Sequence, residues 1–127
     1  MKSIYSAHAP APVGPYSQAI AHGGVLYCSG QIAIDPASGK LVTEDIEAET
    51  QQVLDNVAAV LAEAGTSKRN VIKCSVFVAD MDMFDRINRV YEAFFGTDEA
   101  PARELVQVAR LPKDVNIEIS VIAAIPG

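Results

Sequence analysis

The sequence predicts a single-domain α+β fold, in which one mixed β-sheet carries two helices on one face. Two stretches place apolar residues at helical spacing, and several others alternate apolar and polar residues as strands do. Their order along the chain is strands, helix, strand, helix and two strands, which favours two helices covering one sheet. The 127 residues suffice for one domain, 1–127, with a single core, and half of them are hydrophobic.

Charge and composition narrow the function classes. The formal net charge is −6, which disfavours nucleic-acid binding because neutralising phosphates requires a basic patch. No apolar stretch approaches the length of a membrane span, and the first residues lack the apolar core of a signal peptide. Cys28 and Cys74 form no CxxC pair and are expected to be buried thiols. We therefore expect a cytoplasmic protein that binds neither nucleic acid nor membrane.

The first half of the chain predicts a short strand, an irregular arm, a hairpin and a helix. A strand near Ile4 precedes a proline-containing arm that runs to about residue 18. Gly23-Gly24 is a turn signal within a hairpin spanning 19–34. Apolar residues at helical spacing predict a helix over 44–64, with acidic residues at its start and Gly65 as its stop.

The second half predicts a strand, a helix and two further strands. The strand covers 71–79, and the helix runs from Asp82 as N-cap to a stop at Gly96. The last two strands cover about 104–110 and 115–125 and are joined by the sequence LPKD. The strand over 71–79 is predicted to place Ile72, Cys74, Val76 and Val78 on one side. Two helices leave the other sheet face uncovered, which predicts a homo-oligomer.

Strand alternation predicts that two ionisable groups share that uncovered face. If Val106 and Val108 face the helices, Arg103 faces away from them, as does Glu118 in the last strand. An arginine suits a carboxylate ligand, because its planar fork donates two parallel hydrogen bonds. A glutamate partly removed from water can accept a proton or orient a water molecule. Composition and spacing alone favour the plainer alternative, an ion pair between Arg103 and Glu118 at a subunit contact.

Other candidate residues each have a structural alternative. Asn88 lies beside the apolar stripe of the second helix and is either a local hydrogen-bonder or a ligand contact. Ser29 and Gly30 end a strand and would let a ligand approach the backbone, although turn geometry is the commoner reason for such a pair. Tyr16, in the arm, either packs or points its hydroxyl into a site. The two histidines lack metal-ligand spacing, and nucleophile-elbow and phosphate-loop motifs are absent.

Several strings together make the chain resemble the RidA family of reactive intermediate deaminases, also called the YjgF family. They are APAPVGPYSQA (9–19), YCSGQIAID (27–35), QQVLDNVAAVLAEAG (51–65), VIKCSVFVADM (71–81), INRVYEAFF (87–95) and PARELVQVARLPKDVNIEI (101–119). The resemblance implies a chorismate-mutase-like fold, assembled as a homotrimer around a central barrel of sheets with three clefts between subunits. It also implies hydrolysis, without cofactor or metal, of 2-aminoacrylate and 2-iminobutanoate to 2-oxo acids and ammonia.

The resemblance also assigns roles to the candidate residues. It implies that Arg103 binds the substrate carboxylate and that Glu118 positions the water. It implies that the remaining cleft residues contact the substrate: Tyr16, Ser29, Gly30 and Asn88. One departure follows the arginine, because many deaminating members read PARSC where this chain has Glu104 and Leu105. Leucine cannot hydrogen-bond a water, which keeps open a non-catalytic trimer that binds or senses 2-oxo acids or acts through a protein partner.

Overall fold

The computed structural model describes residues 1–127 and confirms the predicted α+β fold, a six-stranded mixed sheet with two helices on one face. The strands are β1 (Lys2–Ile4), β2 (Ala19–His22), β3 (Val25–Cys28), β4 (Val71–Val78), β5 (Ala102–Gln107) and β6 (Ile117–Ala124). The helices are α1 (Ile46–Glu63) and α2 (Phe84–Phe95), and short 3-10 turns cover Lys68–Asn70, Met81–Met83 and Pro112–Asp114. Neither helix is both long enough and apolar enough to cross a bilayer.

The sheet has the strand order β1-β2-β3-β6-β4-β5. Gly23 and Gly24, both at positive φ, form the predicted turn between β2 and β3, although β3 ends at Cys28 rather than near residue 34. The β4–β5 pair is parallel and all other pairs are antiparallel, so the sheet is mixed as predicted. The last two strands are not neighbours, because β4 lies between them, and this makes β5 an edge strand.

The helix boundaries follow local capping chemistry. The Asp45 side chain accepts a hydrogen bond from the backbone N–H of Ala48 at 2.7 Å, and Gly65 at φ 81° follows the end of α1. The predicted N-cap at Asp82 is wrong. Asp80 has the extended backbone that a cap requires, and its carboxylate accepts from the N–H of Asp82 to start the Met81–Met83 turn, which leads directly into α2.

The main core lies between the sheet and the helices. It contains 21 buried side chains, among which Leu54, Leu61, Ile117 and Ile119 are fully buried. Each such side chain stabilises the fold by about 2 kcal/mol. An irregularity in the β4–β6 register between Val71 and Lys73 leaves Ile72 half exposed. The predicted alternation of this strand is therefore wrong at Ile72.

The opposite sheet face, here called the open face, has no helix on it. Tyr27 and Val106 remain 49% and 42% exposed. A small cluster of Ile32, Leu111 and Val115 buries only part of this side, together with partly buried neighbours such as Phe77. The prediction of a homo-oligomer rests on this uncovered apolar surface.

Candidate functional site

Arg103 and Glu118 lie on opposite faces of the sheet, which corrects the prediction that they share the open face. Arg103 is the register partner of Cys74, a fully buried member of the main core beneath the helices. Glu118 is the register partner of Phe77, which packs in the small cluster of the open face. Since register partners project to the same side of a sheet, Arg103 faces the helices and Glu118 faces away from them.

The wrong prediction has a physical cause in the edge strand β5. This strand carries apolar residues in both phases, so alternation does not identify its buried side. Leu105 packs against the main core and shares the helix face with Arg103, whereas Val106 lies on the open face. Val108 follows the end of β5 and packs with the small cluster instead of the helices.

The arginine subsite, formed by Arg103, Asn88, Tyr91 and Phe84, lies where α2 crosses β5. The Arg103 Nη1 donates to Asn88 Oδ1 at 2.8 Å. The guanidinium carbon lies 4.7 Å from the centroid of the Tyr91 ring and 5.8 Å from that of Phe84. Arg103 belongs to none of the three ion pairs within the chain. Its other N–H donors are therefore free for a planar anion such as a carboxylate.

Neutral groups lie beneath this cation. The Tyr91 hydroxyl is buried without a hydrogen-bond partner of normal geometry, and burial raises its pKa. Burial also raises the pKa of the Cys74 thiol. Neither group carries charge near neutral pH, so Arg103 supplies the only charge of the arginine subsite.

The glutamate subsite, formed by Glu118, Tyr16, Ser29 and Gly30, lines a cavity of about 360 Å³. Pro10, Ile32 and other apolar residues line much of the rest of the cavity. Glu118 makes no hydrogen bond or ion pair within the chain, and its partial burial raises the pKa of its carboxyl group. The carboxylate therefore accepts a proton at higher pH than an ordinary glutamate, which suits a general base.

The two hydroxyl groups of the glutamate subsite have different hydrogen-bonding capacities. The Ser29 hydroxyl donates to the carbonyl of Ser17 at 2.6 Å, so only its acceptor capacity remains for a ligand. The Tyr16 hydroxyl accepts from the N–H of Val13 at 3.3 Å and keeps its own proton to donate. The pair can thus offer one acceptor and one donor to a small polar ligand.

Gly30 is required by the position of the Glu118 carboxylate. A Cβ added to Gly30 would lie 2.7 Å from Oε2 of Glu118 and 2.8 Å from its Cδ. Real Cβ atoms essentially never approach so closely, so any side chain here would push the carboxylate away. The absence of a side chain at Gly30 therefore lets the carboxylate lie directly against the backbone.

Gly30→Ala should displace the Glu118 carboxylate. For the imine hydrolysis that the resemblance in the sequence implies, kcat should then fall by about 10- to 100-fold, the usual cost of misplacing a reacting group by about an ångström. Steady-state kinetics on 2-iminobutanoate would measure this loss. Gly14→Ala is the control, because its Cβ would make only ordinary contact with the Tyr16 ring, at 3.5 Å. Equal kcat for Gly30→Ala and wild type would contradict the assigned role of the carboxylate position.

Comparisons with known proteins identify the family. The family model described as endoribonuclease L-PSP matches residues 6–125. The chain is 50% identical over 127 residues to a RutC family protein of Synechocystis sp., covering 99% of this chain and 98% of that one. The chain belongs to the L-PSP family, also known as YjgF/RidA. The resemblance found in the sequence is thereby confirmed.

Relatives of this chain in the L-PSP family include proteins named as deaminases and proteins whose structures have been solved. The chain is 47% identical over 124 residues to the 2-iminobutanoate/2-iminopropanoate deaminase of Salmonella typhimurium, covering 96% of each protein. Escherichia coli TdcF, solved with bound serine, superposes with a TM-score of 0.92 at 41% identity, covering 98% of each chain. This chain therefore has the fold of solved L-PSP proteins.

Two polar residues that the sequence analysis did not single out hold the walls of the cavity in this L-PSP protein. The buried Gln18 side chain accepts from the N–H of Ser6 at 2.6 Å and donates to the carbonyl of Pro10 at 2.9 Å. The buried Asn56 side chain on α1 donates to the carbonyls of Ile32 and Ile34, both at 3.0 Å. Their only sequence signal is a polar side chain within an apolar setting, which does not reveal its partner.

Proposed function

We propose that this protein hydrolyses reactive 2-imino acids and their 2-enamino tautomers, such as 2-iminobutanoate and 2-aminoacrylate, to 2-oxo acids and ammonia. One observation carries the proposal: the chain presents a free cation, Arg103, and a free carboxylate, Glu118, each in a prepared subsite. A 2-imino acid needs both, because its carboxylate requires a cation and its imine carbon requires an activated water. The deaminase name of the Salmonella typhimurium relative supports the same reaction.

The proposed reaction takes place in clefts between the subunits of a homotrimer. The arginine and glutamate subsites of one chain lie on opposite sides of its own sheet, so a small ligand cannot contact both. A rotational assembly would place the arginine subsite of one subunit against the glutamate subsite of the next. The uncovered open face provides apolar surface for such a contact, and three equivalent clefts would close the ring.

The mechanism uses the two free charges in sequence. Arg103 binds the substrate carboxylate with the N–H donors that Asn88 leaves free. An enamine first takes a proton on C3 to become the imine, and the protonated imine carbon C2 is already electrophilic. Glu118 then accepts a proton from the attacking water, so that a C–O bond forms at C2. The same proton passes to the amino group, which becomes a leaving group. Glu118 then takes the proton of the new C2 hydroxyl as the C=O bond forms and the C–N bond breaks, so that ammonia leaves the 2-oxo acid, and Glu118 returns this proton to solvent.

Binding and proton transfer together account for the proposed rate enhancement. Binding of the carboxylate by Arg103 mainly lowers KM, and acid–base help by Glu118 is worth about two to four powers of ten in kcat. Tyr16 and Ser29 can contribute a donor and an acceptor toward the nitrogen and the water. The required water and protons come from solvent and from these side chains.

A second candidate function is a trimer that binds 2-oxo or amino acids without turnover. Leu105 favours it, because this apolar side chain shares the face of Arg103 and supplies no hydrogen bond to a water. The serine-bound structure of Escherichia coli TdcF likewise contains an amino acid as a bound ligand. This alternative would be favoured if the protein bound 2-oxobutanoate saturably, if Arg103→Ala abolished the binding, and if the protein did not accelerate the loss of 2-iminobutanoate.

Wild type and Leu105→Cys, assayed side by side, test the proposed function. Wild type should accelerate the loss of 2-iminobutanoate generated in the assay. Leu105→Cys should turn over several-fold faster, because the thiol adds a weak donor beside Arg103. It should also be less stable by about 1–3 kcal/mol, because Leu105 loses its contacts with the core. An unchanged rate of 2-iminobutanoate loss with wild-type protein would contradict the proposed function.

RNA is the natural control substrate, since the family model carries the description endoribonuclease. We expect RNA to remain intact under the same conditions. The formal net charge of −6 opposes the binding of phosphate backbones. If wild-type protein cleaved RNA and substitution of Glu118 or Arg103 abolished the cleavage, the proposal would change to phosphodiester chemistry.

A further inference from the structure

A fully buried carboxylate, Glu49 on α1, contacts the start of β6. Its Oε2 accepts from the backbone N–H groups of Asn116 at 2.7 Å and of Ile117 at 3.3 Å, and its Oε1 accepts from the Asn116 side-chain amide at 2.7 Å. Its solvent exposure is 0%. Three donors converge on one carboxylate, which compensates for the removal of its charge from water.

The contact supplies hydrogen-bond acceptors that the sheet lacks. On this edge of β6, Gln31 exchanges two backbone hydrogen bonds with Ile119, at 2.8 and 3.1 Å. The N–H of Ile117 lies further toward the start of the strand, beyond this last backbone partner, and the N–H of Asn116 directly precedes the strand. Glu49 replaces the missing strand by accepting from both. A buried N–H without an acceptor would destabilise this end of β6.

We propose that Glu49 is a positioning residue that fixes the Glu118 carboxylate by anchoring the start of β6 to α1. Glu118 follows Ile117 directly, so the anchor lies one residue before it. Strand alternation sends Ile117 into the main core and Glu118 toward the cavity, and the backbone set by Glu49 therefore sets the direction of Glu118. This inference rests on the proposed function, because it assigns Glu49 to the same reaction.

Positioning predicts a change in kcat rather than in KM. In the proposed cleft the substrate carboxylate is held by Arg103 of the neighbouring subunit, so loosening β6 around Glu118 leaves that contact intact. The water and the proton are handled at Glu118, so its displacement slows the chemical step. We expect Glu49→Leu to lower kcat about 10- to 100-fold while KM changes less than about twofold.

Conservative and control variants separate positioning from stability. Glu49→Gln keeps one oxygen for the two backbone N–H groups and should retain kcat within about threefold of wild type. Thr50→Val is the matched control, since the buried Thr50 hydroxyl donates only to the carbonyl of Ile46 within α1. It should leave kcat unchanged. All variants are assayed well below their melting temperatures, so that a general loss of fold does not mimic the effect.

Carbon-13 NMR titration of the Glu118 carboxyl group tests the inference without requiring turnover. In wild type and Glu49→Gln its pKa should remain above that of an ordinary glutamate, and in Glu49→Leu it should fall toward the ordinary value as the carboxylate gains solvent. A folded Glu49→Leu with the wild-type titration and the wild-type kcat would overturn the inference. If the Glu118 pKa fell in Glu49→Leu but the wild-type protein did not hydrolyse imines, Glu49 would be supported as the anchor and only the proposed function would be rejected. Should Glu49→Leu fail to fold, the same comparison is made with Glu49→Ala and Glu49→Met, which also remove both acceptor oxygens, and an unmoved titration in either folded variant again overturns it.

Discussion

Arg103→Ala should lower kcat/KM for 2-iminobutanoate by about 100-fold or more, because charge-assisted hydrogen bonds to a carboxylate contribute about 1.5–3 kcal/mol each. The side chain is already held by Asn88 and stacked on Tyr91, so the free protein presents the guanidinium in place. Most of the loss should appear in KM, since Arg103 binds the substrate before and during the reaction. Steady-state kinetics and the affinity for 2-oxobutanoate measure both parts.

An exposed arginine provides the control. Arg89 lies on α2 near the arginine subsite and forms no ion pair within the chain. Arg89→Ala should behave as wild type, so a loss confined to Arg103→Ala reflects the site and not the net charge. If Arg103→Ala kept full activity and instead lost its subunit contacts, Arg103 would be an interface residue only.

Glu118→Gln should lower kcat by roughly two to four powers of ten, the usual contribution of a general base. It should also raise the melting temperature at neutral pH. The pKa of Glu118 is raised by burial, so its ionised form is less favourable in the folded protein than in the unfolded chain. The neutral amide removes that cost. Glu92→Gln, an exposed carboxylate on α2, is the control for the loss of one negative charge.

The direction of the pH dependence follows from the same raised pKa. The folded protein holds the Glu118 proton more tightly than the unfolded chain does. At low pH Glu118 is protonated in both states, so it costs the folded protein no stability there. The cost develops as pH rises from the ordinary glutamate pKa through the raised one. A general base must be ionised, so wild-type kcat should fall as pH drops through this raised pKa. The acid limb should be absent from the residual activity of Glu118→Gln.

If Glu118 is catalytic, Glu118→Gln therefore lowers kcat but raises the melting temperature. An ion pair between Arg103 and Glu118 across subunits, the plainer alternative, predicts the reverse sign for stability. Breaking such a pair would lower the melting temperature of both variants. Calorimetry on Glu118→Gln at neutral pH thus separates the two roles, and a lower melting temperature with unchanged kcat would support the ion pair.

Strong periodicity made most of the fold predictable from the sequence. Apolar residues of α1 recur at helical spacing over five turns, and Asp45 and Gly65 mark its ends, so its boundaries were predicted within two residues. The alternation in β6 is equally regular, and the open-face position of Glu118 follows from it. The family motifs named Arg103, Asn88 and the four residues of the glutamate subsite, whose catalytic roles remain predictions. Phe84 and Tyr91 were expected only as part of the apolar stripe of α2, and the structure places them beside the Arg103 guanidinium.

Short segments and long-range contacts were not predictable in this way. Both phases of β5 carry apolar residues, so the face of Arg103 depends on β4 and α2, which pack against it. Glu49 and Asn116 are 67 residues apart, and nothing local connects them. Such side-chain contacts depend on the assembled fold, because a polar residue on an apolar helix face indicates a partner without identifying it.

Mixed trimers of Arg103→Ala and Glu118→Gln chains test most directly the claim that the two subsites of a cleft come from different subunits. Each variant alone should be nearly inactive. Co-expressed chains that assemble at random should recover about one quarter of wild-type activity, because that share of the clefts joins an intact arginine subsite to an intact glutamate subsite. If mixed trimers, verified by mass spectrometry, stayed as inactive as the separate variants, the shared cleft would be contradicted.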